Sequence, residues 1–155
     1  MIEIRPAQPE DASAISDLIH RLAPYCTIEP DGKGAEQFFA SISRESIESY
    51  IRSPNFAYFV ATVDNQLMGV AALRDTSHVY HVFVASEFHG KGYGRVLWEH
   101  LRDHAQQHGP ITRFTVNSSS YAEQMYRHFG FTPTSEKQIM HGLAFIPMEI
   151  LIKEP

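Results

Sequence analysis

A glycine-rich turn with two basic side chains lies between a predicted strand and a predicted helix. In sequence order it consists of His89, Gly90, Lys91, Gly92, Tyr93, Gly94 and Arg95. Glycine adopts positive φ readily and has no Cβ to keep a ligand away from the backbone. Backbone N–H groups converge at such a turn, and the helix dipole, Lys91 and Arg95 all favour negative charge there. The turn therefore predicts a binding site for a phosphate or pyrophosphate group.

Two familiar phosphate-binding motifs fit this turn poorly. In a P-loop, Ser or Thr would follow Gly-Lys, but Gly92 follows Lys91 here. In a dinucleotide-binding turn, an acidic residue about 20 positions later binds the ribose. Here the next predicted strand ends at Asn117 and supplies no carboxylate. A nucleotide-dependent oxidoreductase is therefore kept only as an alternative class.

The composition predicts one ordinary globular domain of 155 residues. A net charge of −5 argues against a basic face for phosphate contacts, so we expect no nucleic-acid partner. The same negative charge is compatible with a cationic substrate. Cys26 is the single cysteine, which excludes a disulfide framework and a cysteine metal site. No apolar run approaches the about 20 residues of a membrane span and no signal-peptide pattern is present, so we expect a cytoplasmic protein without a membrane partner.

Apolar periodicity predicts the elements that position the turn. Residues 2–5 form the first predicted strand. A helix follows and ends at Pro24, with its apolar positions at Ile15, Leu18, Ile19 and Leu22. Residues 25–34 are predicted to be a mobile loop, and a less regular helical stretch extends from there to Pro54.

The rest of the chain alternates strands and helices. Predicted strands cover residues 56–63, 67–73, 79–85, 111–117, 132–141 and 143–152, and predicted helices cover residues 94–108 and 122–129. Residues 64–66 join the first two of these strands as a hairpin turn. The order indicates one mixed α/β sheet, antiparallel at its start and crossed by helices later.

A second motif follows the predicted strand 111–117. It runs Asn117-Ser118-Ser119-Ser120-Tyr121-Ala122, then Tyr126 and Gly130-Phe131. Together with the glycine turn, and with Ile4-Arg5-x-Ala7 and Asp11 near the start, it resembles the GNAT superfamily of N-acetyltransferases. The resemblance implies a single N-acetyltransferase domain over residues 1–155. It also implies an α/β (α+β) fold with a mixed, mostly antiparallel sheet of about six to seven strands and about four helices.

The resemblance implies that acetyl-coenzyme A is the co-substrate and that no metal is needed. In this family the glycine turn binds the pyrophosphate, which assigns that role here to residues 89–95. The family has Arg or Gln where His89 stands. Because backbone N–H groups are the main phosphate ligands, we expect His89 to weaken binding without abolishing it. A protonated His89 could replace part of the missing charge.

The family fold also implies that the strand containing Val82, Phe83 and Val84 parts from the strand ending at Asn117. The pantetheine arm is expected in the gap, with Phe83 and Val84 near its thioester end. The resemblance suggests that Asn117 hydrogen-bonds this arm. From the sequence alone, Asn117 could equally be a turn residue at a strand end.

Tyr126 matches the family's general acid, which protonates the leaving thiolate. Helical spacing alone would make Tyr126 a core aromatic. The resemblance implies direct attack in a ternary complex, with a backbone N–H of residues 82–84 polarising the thioester carbonyl. Cys26 is then not needed as a nucleophile, and we expect it to be a small apolar filler.

The group that accepts the amine proton is the least defined part of the site. His81 and Tyr80 precede the glycine turn, and we expect only one of them to face the cleft because neighbouring strand side chains alternate. Of the two we favour His81, as a base or as an organiser of water, although it could equally be an ordinary polar residue on the sheet face. His78 and His141 are weaker candidates.

Three further histidines, His100, His104 and His108, recur every four residues. They lack the glutamate of a His-Glu-x-x-His zinc motif, so we expect a solvated helix edge and no metal site.

The acceptor is expected to be an amine of a small molecule or a peptide. Candidate lining residues are Tyr25, Asp31, Glu36, Phe38 and Phe39. Carboxylates beside aromatic rings suit a primary amine, although the same residues could close a core. His89 and the unassigned base leave an alternative open, a non-catalytic acyl-coenzyme A-binding module. The edge strands could also pair two copies into a homodimer.

Overall fold

The computed structural model describes residues 1–152, and within them the chain forms one sheet of eight strands with five α-helices. The strands are β1 (Ile2–Pro6), β2 (Phe56–Val63), β3 (Gln66–Arg74), β4 (His78–Val84), β5 (Arg113–Ser119), β6 (Thr132–Pro133), β7 (Gln138–Met140) and β8 (Leu143–Leu151). The helices are α1 (Ala12–Leu22), α2 (Glu36–Ser41), α3 (Arg44–Arg52), α4 (Tyr93–Gln107) and α5 (Glu123–Phe129). The expected single domain over 1–155 includes residues 153–155, which lie outside the described residues.

The sheet order is β1-β2-β3-β4-β5-β8-β6, and β7 pairs with β8. Neighbouring strands are antiparallel except β4 and β5, which are parallel. The pairing of β4 with β5 consists of two residue pairs, His78 with Thr115 and Val79 with Val116. From Tyr80 onward the two strands part, as the resemblance predicted. The predicted fold class is confirmed.

Helices cover both faces of the sheet because side chains of β2 alternate between two apolar clusters. Phe59 and Ala61 pack with Trp98 and Leu101 of α4. Tyr58 and Val60 pack with helices α1 and α3 on the opposite face, through buried residues that include Ile15, Ile19 and Ile47. The two layers hold β4 from both sides and leave its C-terminal end facing the gap toward β5.

Two predicted elements are each divided in the structure. The helical stretch before Pro54 is two helices, since Ser43 caps α3 by accepting a 3.1 Å hydrogen bond from the backbone N–H of Ser46. The predicted strand 132–141 is the two short strands β6 and β7. β6 ends at Pro133: the N–H of Thr134 still donates to the carbonyl oxygen of Pro147, but Pro147 has no N–H to donate in return. Within the described residues, no helix combines the length and apolar character needed to span a membrane.

Candidate active site

The glycine turn, residues 89–95, directly follows a short 3-10 turn at Ser86–Phe88, and its last three residues form the start of α4. Gly90 has φ +76° and Gly92 has φ +80°, both in the left-handed region. A Cβ at either position would meet no protein atom within 4 Å, so the backbone borders open space. In residues 1–152, the N–H groups of residues 90–95 have no acceptor within the protein. The turn therefore presents a row of free donors at the N-terminus of a helix.

A cavity of about 730 Å³ opens onto this turn. The predicted cofactor residues that line it are Val82, Phe83, Val84, His89, Gly90, Gly92, Tyr93, Gly94 and Arg95. Lys91 is exposed and lies on the turn outside this lining. Asn117 and Tyr126 line a second cavity instead.

The side chain of His89 links the glycine turn to the end of β4 by a hydrogen bond. Its Nε2 lies 2.6 Å from the carbonyl oxygen of Val84, so Nε2–H donates there. Its Nδ1 is 3.4 Å from the hydroxyl of Tyr121. The rings of Tyr121 and Tyr25 stack at 4.3 Å between centroids, and both line the larger cavity. In this arrangement His89 stabilises the turn with one ring nitrogen and has the other beside a phenol.

The second cavity has a volume of about 350 Å³ and borders the same gap between β4 and β5. Its walls come from α2, β4, β5, α5 and the β7–β8 hairpin. Five residues line both cavities, namely Cys26, Val82, Phe83, Ser119 and Ala122. The two cavities therefore adjoin at the parted strands, which is the arrangement that a two-substrate transfer reaction requires.

Tyr126 places its phenol in the second cavity. The residue is 4% exposed, and its ring packs edge-on against Phe129 and Phe131. Its hydroxyl has no hydrogen-bond partner in residues 1–152. Every fully buried side-chain oxygen in those residues does have a partner, so the Tyr126 hydroxyl is not fully buried and faces the cavity. Burial, and secondarily Cys26, raises the pKa of Tyr126 above the usual value for a phenol. The phenol is thus protonated at neutral pH.

His81 lines the same cavity and is held from behind by Tyr58. The Tyr58 hydroxyl lies 2.8 Å from Nδ1 of His81, and both side chains are buried. Among the described residues, the buried Tyr58 hydroxyl has one hydrogen-bond partner, His81. The hydroxyl therefore donates its proton to Nδ1, and the ring proton of the neutral imidazole is on Nε2. Burial lowers the pKa of His81 to about 3, so the imidazole is neutral at pH 7.

Tyr80 and His81 both line the second cavity, contrary to the expectation that only one of them could. The register of β3 and β4 shifts here, since Ala72 faces His81 while Leu73 faces Val79. Tyr80 is the extra residue, and the bulge it forms breaks the alternation of side chains.

The other candidates occupy different places. His141 is exposed and lines the second cavity, whereas Nδ1 of His78 is 2.8 Å from Oγ1 of Thr115 and His78 lines neither cavity. The rings of His100 and His104 pack against Phe59, at 4.5 and 5.1 Å between centroids. Within the described residues, no three His, Cys, Asp or Glu side chains are grouped as metal ligands would be.

Several lining residues were missed from the sequence or assigned another role. Cys26 was expected to be a filler and Ser119 was given no role of its own, yet both line the two cavities. Ser119 does accept a 3.1 Å hydrogen bond from the N–H of Ala122. Met140 and Phe145 enter through the β7–β8 hairpin, whose position no local signal indicates.

Among the expected acceptor residues, Phe38 lines the second cavity and Tyr25 the larger one. Asp31, Glu36 and Phe39 line neither cavity. The carboxylates expected beside the acceptor are therefore absent from its lining.

Comparison with known proteins agrees with this geometry. The family model described as an acetyltransferase (GNAT) domain matches residues 26–152. An uncharacterised N-acetyltransferase of Schizosaccharomyces pombe is 28% identical over 128 residues, which are 81% of this chain and 44% of that protein. The chain thus spans less than half the length of this curated relative.

Two solved structures share the fold. A GCN5-related N-acetyltransferase from Rhodopseudomonas palustris superposes with a TM-score of 0.79 at 21% identity, covering 97% of this chain and 95% of that one. The PaiA N-acetyltransferase from Thermoplasma acidophilum, solved in complex with coenzyme A, gives a TM-score of 0.76 at 20% identity and covers 97% and 99% of the two chains.

Proposed function

This chain belongs to the GNAT acetyltransferase family, as its motifs predicted, and we propose that it transfers an acetyl group from acetyl-coenzyme A to a primary amine. The observation that carries the proposal is the junction of two cavities at the gap between β4 and β5. One cavity ends at a turn of free backbone donors, and the other contains the phenol of Tyr126.

The residues present fit acetyl-coenzyme A. The N–H groups of residues 90–95 would hold the pyrophosphate, with Arg95 beside them. The edge of β4 that faces β5 is unpaired beyond Val79 and would hold the pantetheine arm in the manner of an added strand. When bound, the co-substrate supplies an activated acyl thioester, and residues 82–84 offer a backbone N–H to its carbonyl oxygen.

The transfer that we propose is direct. The neutral amine nitrogen bonds to the thioester carbonyl carbon, and the bond from that carbon to sulfur breaks. The amine gives up one proton to solvent, and Tyr126 supplies a proton or a hydrogen bond to the departing sulfur. Freeing an alkyl ammonium of its proton at pH 7 costs about 4 to 5 kcal/mol.

His81 suits the role of water organiser better than that of base. A group whose pKa is about 3 binds protons too weakly to remove one from an ammonium. Its Nε2–H can hold a water oxygen that relays the proton outward. This supports one of the two roles expected for His81 and disfavours the other.

A second candidate function is acyl-coenzyme A binding without transfer. It is favoured by one observation, that His81, buried in the second cavity, has a pKa of about 3 and is too weakly basic to take the amine proton. This reading predicts tight cofactor binding and no turnover.

One assay separates the two functions. The protein is incubated with acetyl-coenzyme A and a panel of primary amines while thiol release is followed, and the products are weighed by mass spectrometry. Thiol and N-acetylated amine appearing in equal amounts would support the transferase. Cofactor binding with no product from any amine would support the binding module.

A further inference from the structure

The second cavity has no formally charged side chain in its lining. Among the described residues, no Asp, Glu, Lys or Arg lines it. Its apolar surface includes the side chains of Phe38, Phe83, Met140 and Phe145. Its polar groups include the amides of Gln37 and Asn117, the hydroxyl of Ser41 and the phenol of Tyr126, all of them uncharged at neutral pH.

The neighbouring carboxylates are directed elsewhere. Oδ1 of Asp31 accepts a 3.0 Å hydrogen bond from the N–H of Lys33 within its own loop. Glu123 follows Ala122 in sequence but forms a 2.7 Å ion pair with Arg127 along α5. Glu36 is exposed at the start of α2. None of these side chains reaches the cavity lining.

The hydrogen bonding of the buried His81 agrees with an uncharged second cavity. Nδ1 of His81 accepts from Tyr58, so the imidazole presents a neutral N–H to the cavity. The other lining histidine, His141, is exposed at the hairpin turn and lies open to solvent. A substrate body in this cavity thus meets rings, methyl groups and neutral dipoles.

From this lining we propose that the acceptor is a monoamine whose body is uncharged and apolar, such as an aromatic or aliphatic amine. The inference rests on the proposed function and names its substrate class. The second ammonium of a diamine would lose its hydration in this cavity without gaining a carboxylate partner. The carboxylate of a free amino acid would likewise have no Arg or Lys to pair with. A charge buried without a partner is strongly disfavoured.

The test uses two pairs of amines that differ by a single charge. Pentylamine is compared with 1,5-diaminopentane, and 2-phenylethylamine with phenylalanine, at saturating acetyl-coenzyme A. We expect kcat/KM for the charged member to be lower by about 100-fold in each pair. A charged member that reacts as well as its uncharged partner, or better, would overturn the inference while leaving the transferase in place.

A pair of variants then tests whether this cavity sets the preference. Met140 lines the cavity, whereas Ile139, its neighbour on β7, is 72% exposed and does not. Met140→Glu places a carboxylate at the rim and should raise kcat/KM for 1,5-diaminopentane relative to pentylamine by about two- to fivefold. Ile139→Glu adds the same charge to the protein and should leave that ratio unchanged.

The remaining outcomes are equally decisive. Equal ratios in the two variants would overturn the assignment of this cavity, and thermal melts of both variants show whether either has lost its fold. If no amine in either pair reacts while acetyl-coenzyme A still binds, the proposed transferase function itself fails, a result distinct from a reversed preference.

Discussion

The hydroxyl of Tyr58 on β2 donates to Nδ1 of His81 on β4 across 2.8 Å, with β3 lying between the two strands. Both side chains are buried, and burial raises the pKa of Tyr58 well above its usual value. The pair therefore holds one proton arrangement, in which Nε2–H of His81 points toward the second cavity. The buried Tyr58–His81 pair thus determines that His81 presents an N–H to the second cavity.

Removing the Tyr58 hydroxyl should impair turnover without affecting cofactor binding. In Tyr58→Phe, Nδ1 of His81 loses its donor and the imidazole is free to change tautomer, so we expect kcat/KM to fall about tenfold. Tyr58 lines neither cavity, and the dissociation constant of coenzyme A should stay the same. Nitrogen-15 NMR should show a protonated Nε2 for His81 in the wild type.

The matched control is Tyr50→Phe. The Tyr50 hydroxyl donates to the carbonyl of Ser41, accepts from the hydroxyl of Tyr80 and lies outside both cavity linings. This variant therefore loses two hydrogen bonds but leaves Nδ1 of His81 with its donor, and it should keep its turnover. Equal losses of kcat/KM in the two variants would show that the Tyr58 effect is only one of stability.

Acid should destabilise the protein through His81. Its pKa is about 3 in the folded state against an ordinary value of 6.5. Between these pH values His81 is protonated in the unfolded chain and neutral in the folded chain. The free energy of unfolding therefore falls as the pH decreases from 6.5. In urea unfolding at pH 7, 6 and 5, His81→Gln should reduce the average slope of this decline by about 1 kcal/mol per pH unit. Parallel curves for the two proteins would contradict the assignment.

Tyr126→Phe should lower kcat by about 100-fold or more, because the departing sulfur loses its proton donor. The ring itself stays, so the packing on Phe129 and Phe131 and the affinity for coenzyme A should be retained. Steady-state kinetics together with calorimetry measure both quantities. Full turnover in this variant would remove Tyr126 from the acid role.

Cys26 should be unreactive despite its position at the junction of the cavities. Burial raises the pKa of its thiol from 9.0 to about 11, which lowers the thiolate fraction at neutral pH by about 100-fold. Alkylation by iodoacetamide should be slow, should accelerate with rising pH, and should slow further with coenzyme A bound. Because it is the single cysteine, intact mass reports it directly. An acetyl adduct on Cys26 would speak against direct transfer.

The sequence predicted the fold class and the conformation of the glycine turn because both depend largely on local signals. Alternating glycines, a strand before them and a helix after them lie within a few residues of one another, and each has a conformational reason. Gly92 has φ +80° and immediately precedes α4, which begins at Tyr93, one residue before the predicted start at residue 94.

The acceptor side could not be predicted in the same way, because it is assembled from distant segments. Tyr58 and His81 are 23 residues apart and meet only once three strands are in register. The bulge at Tyr80 follows from how β3 pairs with β4, and no residue type announces it. The strands predicted at 132–141 and 143–152 do pair, as β7 with β8, but no local signal indicates that this hairpin brings Met140 into the cavity lining.

Calorimetric titration with acetyl-coenzyme A tests the central claim most directly, since everything else depends on the turn at residues 89–95 holding a pyrophosphate. We expect one binding site per chain, with affinity about tenfold weaker in Gly92→Ala, where a methyl group enters the cavity and a left-handed backbone is strained. Gly109→Ala carries a similar strain, at φ +154°, far from the lining, and should bind as the wild type does. Absence of binding to the wild type, or equal binding by the wild type and Gly92→Ala, would contradict the claim.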